Sequence, residues 1–171
     1  MKLLKKPIES DLNSPRIIEI QPKHEGMSTE YNEYDKHVDF FLTNLINSIV
    51  LFSMNREELQ ELEEPWFDPL FELESEIDYA FTPVCFESIF RNNLIDWKFR
   101  QKLLDFKIKT DEIPATIWKW EFIDSNHEWI AIRKEANEIL VQLRVEDRGY
   151  NDDYTTIHTT DGELIKKGRK V

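Results

Sequence analysis

Glycine is missing from Met27 to Arg148: the four glycines of this 171-residue chain are Gly26, Gly149, Gly162 and Gly168. Phosphate-cradling loops, dinucleotide fingerprints and nucleophile elbows need glycine where backbone must approach substrate closely, so none can be placed in the centre of the chain. Tight hairpins on left-handed turns are disfavoured there for the same reason. Cysteine is nearly absent too. The single Cys85 excludes an intrachain disulfide and a Cys-rich zinc site, and its apolar and acidic neighbours disfavour the thiolate that a nucleophile needs. No apolar run reaches the ~18 residues of a membrane span. The longest apolar-rich stretch, Val38 to Phe52, is broken by Asp39, Thr43, Asn44, Asn47 and Ser48. Lys2, Lys5 and Lys6 are followed by Pro7, Glu9, Ser10 and Asp11 rather than an apolar segment, so no secretory signal and no membrane partner are expected, and the expected compartment is the cytoplasm.

Histidine is equally sparse. His24, His37, His127 and His158 form no His-Glu-x-x-His or Glu-x-x-His spacing. Glu33 and His37 stand one helical turn apart, and Asp124 lies three before His127. The plainer reading of these pairs is a surface carboxylate–imidazole contact and helix N-terminal capping, so neither a metal nor a cofactor is expected. No catalytic residue can be named, and the chain is not read as an enzyme.

Basic residues are missing from Glu57 to Phe90, and here absence turns into content. That stretch carries eleven carboxylates: Glu57, Glu58, Glu61, Glu63, Glu64, Asp68, Glu72, Glu74, Glu76, Asp78 and Glu87. The chain's net charge of −12 is concentrated in its centre, because residues 1–26 and 148–171 each hold five basic and four acidic groups. Such charge repels nucleic acid and attracts a basic protein. Interspersed Trp, Phe, Leu and Ile distinguish the block from a disordered acidic tail. The competing reading is internal neutralisation by Arg91, Lys98, Arg100, Lys102, Lys107 and Lys109, which an antiparallel neighbouring helix would bring alongside.

Apolar spacing predicts a mainly α fold: a single bundle of about five to six helices with a small C-terminal β-hairpin, joined by an N-terminal strand over Pro15–Pro22 if the ends pair. Three segments follow: an arm at 1–26, an acidic helical domain at 27–148 and a hairpin or tail at 149–171. The first helix is read over Thr29–Phe52. Asn55 with Glu58 makes a capping box for a second, and Asp68-Pro69 and Thr82-Pro83 open a third and fourth. A fifth starts near Asp96. Lys109–Asp124 follows neither period and reads as a short helix or turn. Ser125 with Glu128 caps a last helix with Trp129, Ile132, Ala136, Ile139, Leu140 and Leu143 on one stripe. Asp161-Gly162 is the hairpin's turn.

The closing helix, Trp129-Ile-Ala-Ile-Arg-Lys-Glu-Ala136, is similar to the Trp-x-x-x-Arg-x-x-Ala ending of some helical immunity proteins of bacterial polymorphic-toxin and contact-dependent inhibition systems. Size and acidity fit the same resemblance. It implies a protein that binds and blocks a cognate toxin, a nuclease with a basic groove being one fitting target. The expected partner-binding residues are Glu61, Glu64, Trp66, Asp68, Glu72, Glu74, Glu76, Asp78 and Tyr79. Two other readings stay open: a metal-dependent helical enzyme using Glu33, His37 and acids of the third helix, and a regulatory interaction module with no toxin involved.

Overall fold

The computed structural model describes residues 34–151 and the backbone of two strands, 155–158 and 164–167. It is mainly helical. Six α-helices run in order: α1 Val38–Ser53, α2 Arg56–Glu61, α3 Pro69–Ala80, α4 Pro83–Arg91, α5 Arg100–Asp111 and α6 His127–Gln142. Short 3-10 turns at Trp97–Phe99 and Ala115–Ile117 lead into α5 and out of it. Strands β1 (Thr155–His158) and β2 (Leu164–Lys167) pair antiparallel, Ile157 opposite Ile165. The Asp161-Gly162 turn, the Pro15–Pro22 strand, Glu33 and the arm at 1–26 lie outside the described residues.

α1 is the central element, packed against α3, α4 and α6. Its sequence explains this: Leu45, Ile49, Val50 and Leu51 are wholly buried and Phe40, Phe41 and Phe52 nearly so, which covers more than one face. Of the predicted continuous helix Thr29–Phe52, residues 29–33 lie outside the described residues, and Tyr34 and Asp35 are helical but separated from α1. A turn at Lys36–His37 precedes Val38, with His37 N–H donating to Tyr34 O (2.9 Å), and His37 supplies no side-chain cap.

Local capping signals set the next boundaries. Asn55 and Glu58 form the expected reciprocal capping box on α2, and Asp68 accepts from Leu70 N–H ahead of Pro69 on α3. Thr82 precedes α4 as expected, but its hydroxyl donates backwards to Tyr79 O (2.8 Å). The cap of α6 is Asn126, which accepts from Glu128 N–H (2.8 Å), and not Ser125, whose hydroxyl donates to Glu121 O. Ser125 completes the preceding turn, and so the helix begins one residue later than its sequence signature suggests.

Without glycine, α4 and α6 end on Asn93 and Arg144 in the left-handed region, at φ 56° and 60°. In both, the amide beyond reaches back to close the helix: Leu94 N–H to Ile89 O and Val145 N–H to Leu140 O. From Arg144 the chain turns back over α1 and α3 as a strap. Asn47, 3% exposed on α1, receives Asn151 N–H on Oδ1 (3.0 Å) and donates Nδ2 to Asn151 O (2.7 Å).

The Lys109–Asp124 segment is held by hydrogen bonds rather than by apolar period. Trp129 Nε1 donates to Ile117 O (2.9 Å) and Trp118 Nε1 to Leu70 O (3.0 Å), with the two indoles edge to face. Arg133 donates to Met54 O (2.8 Å), Ile123 O (2.7 Å) and Asp124 (2.7 Å). The fold places no helix that is long and apolar enough to cross a membrane among the described residues.

Two measurements check this architecture. Arg133→Ala removes three charge-assisted bonds and is expected to cost about 2–3 kcal/mol in denaturant unfolding. Arg144→Gly relieves a left-handed non-glycine residue and is expected to stabilise by about 0.5–1 kcal/mol, read as a higher melting temperature.

Candidate functional site

The carboxylates of the acidic block lie on α2, the connection after it and α3. Glu57, Glu61, Glu63 and Glu74 are exposed and, among the described residues, make no ion pair or side-chain hydrogen bond. Glu58 and Asp68 are spent on the caps of α2 and α3. Glu64, also exposed, stands where its backbone pairs with that of Phe67. Glu72 is half-buried and accepts from Ser75 Oγ (3.0 Å).

Among the described residues, the basic segment from Arg91 to Lys109 neutralises the acidic block at two points. Lys107 bridges Asp78 (2.8 Å) and Asp111, and Arg100 pairs with Glu87 at the edge of the block. The other cations of that segment go elsewhere: Arg91 to Asp35, Lys109 to Glu135 (2.7 Å), Lys98 to Asp96 (3.1 Å) and Lys102 to Gln142. Geometry explains the outcome. α5 packs on α6, so most of its lysines meet α6 or the solvent rather than α3.

Exposed aromatic rings accompany the acids. Trp66 is 60% exposed, Tyr79 43% and Phe71 64%. Tyr79 lies edge-on to Phe40, which fixes its ring at the rim of the core. Phe71 was not among the expected partner-binding residues, although its place off the Leu70-Leu73-Ile77 stripe is a readable sign of exposure. Trp118, by contrast, packs on Phe52 and Trp129 and serves the frame.

Between α3 and the C-terminal end of α5 lies a cleft of about 320 Å³. Phe52, Ile77, Ile113 and Trp118 supply its apolar wall, and Glu74, Asp78 and Asp111 its acidic rim. Burial would lower the Lys107 ammonium, but Asp111 and Asp78 outweigh it and hold the group above its ordinary value. The rim therefore keeps its cation charged.

Glu76 departs from the expected arrangement. It is turned towards the strap, where Tyr150 Oη donates to it and the Tyr150 ring packs on Phe67 at 5.2 Å. Burial pushes its carboxyl up to about 7, against the Tyr150 bond, and Glu72 adds to the rise. A carboxyl that is neutral at pH 6 is a poor recognition charge and a good structural one.

Glu33, the first residue of the metal reading, lies outside the described residues. Among the described residues no three His, Cys, Asp or Glu side chains are grouped to hold an ion. Asp124 is engaged by Arg133 and by Arg56 N–H (3.2 Å), while His127 is exposed.

The raised Glu76 group makes stability fall as pH rises from about 4.5 to about 7, because over that window the folded chain keeps a proton the unfolded chain releases. The full shift corresponds to about 3 kcal/mol, and partial solvent access reduces the expected loss to about 2. Glu76→Gln, which retains an acceptor for Tyr150, is expected to abolish that slope in urea titrations at pH 5 and 7.5. No family model matches the chain, and neither a curated protein nor a solved structure matches it.

Proposed function

We propose that this protein is an immunity-type inhibitor, binding a cationic protein toxin through the acidic face of α2 and α3 and covering the toxin's working surface. The observation that carries the reading is the distribution of ion pairs. Of the carboxylates from Glu57 to Asp78, only Asp78 is bridged by a lysine or arginine of residues 91–109. Glu57, Glu61, Glu63 and Glu74 stand in solvent on α2, the connection after it and α3, a pattern suited to a complementary positive surface. Trp66, Phe71 and Tyr79 beside them offer the aromatic contact that desolvated interface anchors use.

Carboxylates spaced along a helix can stand in for the phosphates that a nuclease groove binds, which makes a nuclease with a basic groove a fitting target. The role is stoichiometric binding in the cytoplasm, without cofactor or turnover. A regulatory module that reads another basic protein would use the same face, and a toxin-domain gene beside this one distinguishes the two.

The charge-reversal test belongs on Glu61, Glu63 and Glu74, not on Glu72 and Glu76, which have structural partners. The triple variant E61K/E63K/E74K is expected to keep its melting temperature within about 2 °C, as exposed unpaired sites should. Its affinity for the partner captured from the native host is expected to fall about tenfold or more, chiefly through slower association. Wild-type affinity should also weaken with added salt. Equal affinity of variant and wild type in a calorimetric titration rejects the reading.

A further inference from the structure

We propose that the cleft between α3 and the end of α5 is the socket for an arginine side chain of the protein partner. The inference rests on the acidic-face reading above and adds the contact that would anchor it.

Three observations converge on this occupant. Trp118, the partly exposed member of a wall otherwise made by the buried Phe52, Ile77 and Ile113, offers an aromatic face along which an aliphatic stem can lie. The rim is negative, and α5 ends there, so its carbonyl end adds partial negative charge to Asp111. The third is Lys107. The chain already seats one cation at this rim, 2.8 Å from Asp78 and bonded to Asp111, and keeps it charged. Glu74, one helical turn before Asp78 on α3, has no such cation. Counting Lys107 against Glu74, Asp78 and Asp111, the rim retains a net charge of −2, so a second cation fits and an anion does not.

Shape and hydration select among cations. Glu74, Asp78 and Asp111 are not grouped as metal ligands, and an aromatic wall beside carboxylates suits an organic cation. The side chains of Asp78 and Asp111 are more than half exposed, at 60% and 56%, so an incoming cation gains little there from charge alone. A guanidinium is more weakly hydrated, presents a planar fork to carboxylates and stacks on aromatic walls. Trp118 is held by its bond to Leu70 O, so the wall is formed before a guest arrives.

The test uses the full chain and two defined probes, N-acetyl-arginine N-methylamide and its lysine counterpart, followed by NMR. The arginine probe is expected to shift the Trp118 indole N–H and the Ile77 and Ile113 methyls in a saturable way. The lysine probe should bind more weakly. Glu74→Gln, at an exposed site outside any ion pair, should weaken the arginine probe about fivefold without altering the fold. Three outcomes overturn the proposal: non-saturating shifts spread along Glu57–Glu63, equal binding of the two probes, or no effect of Glu74→Gln. If the probe fails while reversal at Glu61 and Glu63 still weakens the partner, the socket is refuted and the acidic-face reading stands. If the probe binds and that reversal has no effect, the socket stands and the wider face is refuted.

Discussion

The guanidinium of Arg133 is the interaction on which the rest of the structure depends. From α6 it holds the end of α1 through Met54 O and the connection before α6 through Ile123 O and Asp124. Asp124 in turn accepts the backbone N–H of Arg56, at the start of α2. The same connection carries Trp118, whose indole N–H reaches Leu70 O at the start of α3. α6 and the connection before it therefore tether the starts of both acid-bearing helices, through one carboxylate and one indole, while α1 supplies the main packing of α3. In this chain the Trp129, Arg133 and Ala136 spacing describes a frame: Trp129 bonds Ile117 O, Arg133 makes the clasp, and Ala136 is wholly buried on the face of α6. That frame turns a run of like charges into a surface.

Energetics explain why such a surface is tolerated. Like charges a turn apart on a helix cost a few tenths of a kcal/mol each, and an exposed ion pair returns at most about 1 kcal/mol. Leaving Glu57, Glu61, Glu63 and Glu74 unpaired is thus a small loss beside the burial of Leu73, Ile77 and Leu59 on the other faces of the same elements. The acids with real structural consequences are those that touch something. Glu58 and Asp68 cap, Asp78 shares Lys107, and Glu76 meets Tyr150. The acidic block is therefore two populations, one supporting the fold and one available to a partner.

Much that depends on neighbours in sequence was legible, the Ser125 capping box and a Thr82 cap excepted. The Asn55 capping box, the Asp68-Pro69 start and the stripe Trp129-Ile132-Ala136-Ile139-Leu140 are local or periodic signals, and the helices stand where those signals put them. Contacts that close over long separations were not legible. Glu76 reads as a surface acid because Tyr150, which buries it, lies 74 residues away. The Lys109–Asp124 segment has no readable period because Trp118, Ile113 and Ile123 answer to tertiary partners rather than to a helix face. Asn93 and Arg144 take the left-handed positions that glycine signals elsewhere, so those turns carried no mark, although the apolar stripe of the last helix ends at Leu143 where the helix is capped. Of the candidate site, the exposure of Glu61, Glu64, Trp66, Glu74 and Tyr79 could be anticipated, while the single bridge from Lys107 to Asp78 followed from how α5 meets α3.

The central claim is mechanical: the acidic segment is as fixed as the core that carries it. Backbone ¹⁵N relaxation across residues 57–78 tests it most directly. The account predicts order parameters of about 0.85 there, matching α1, whereas values below about 0.6 through the α2–α3 connection would contradict it.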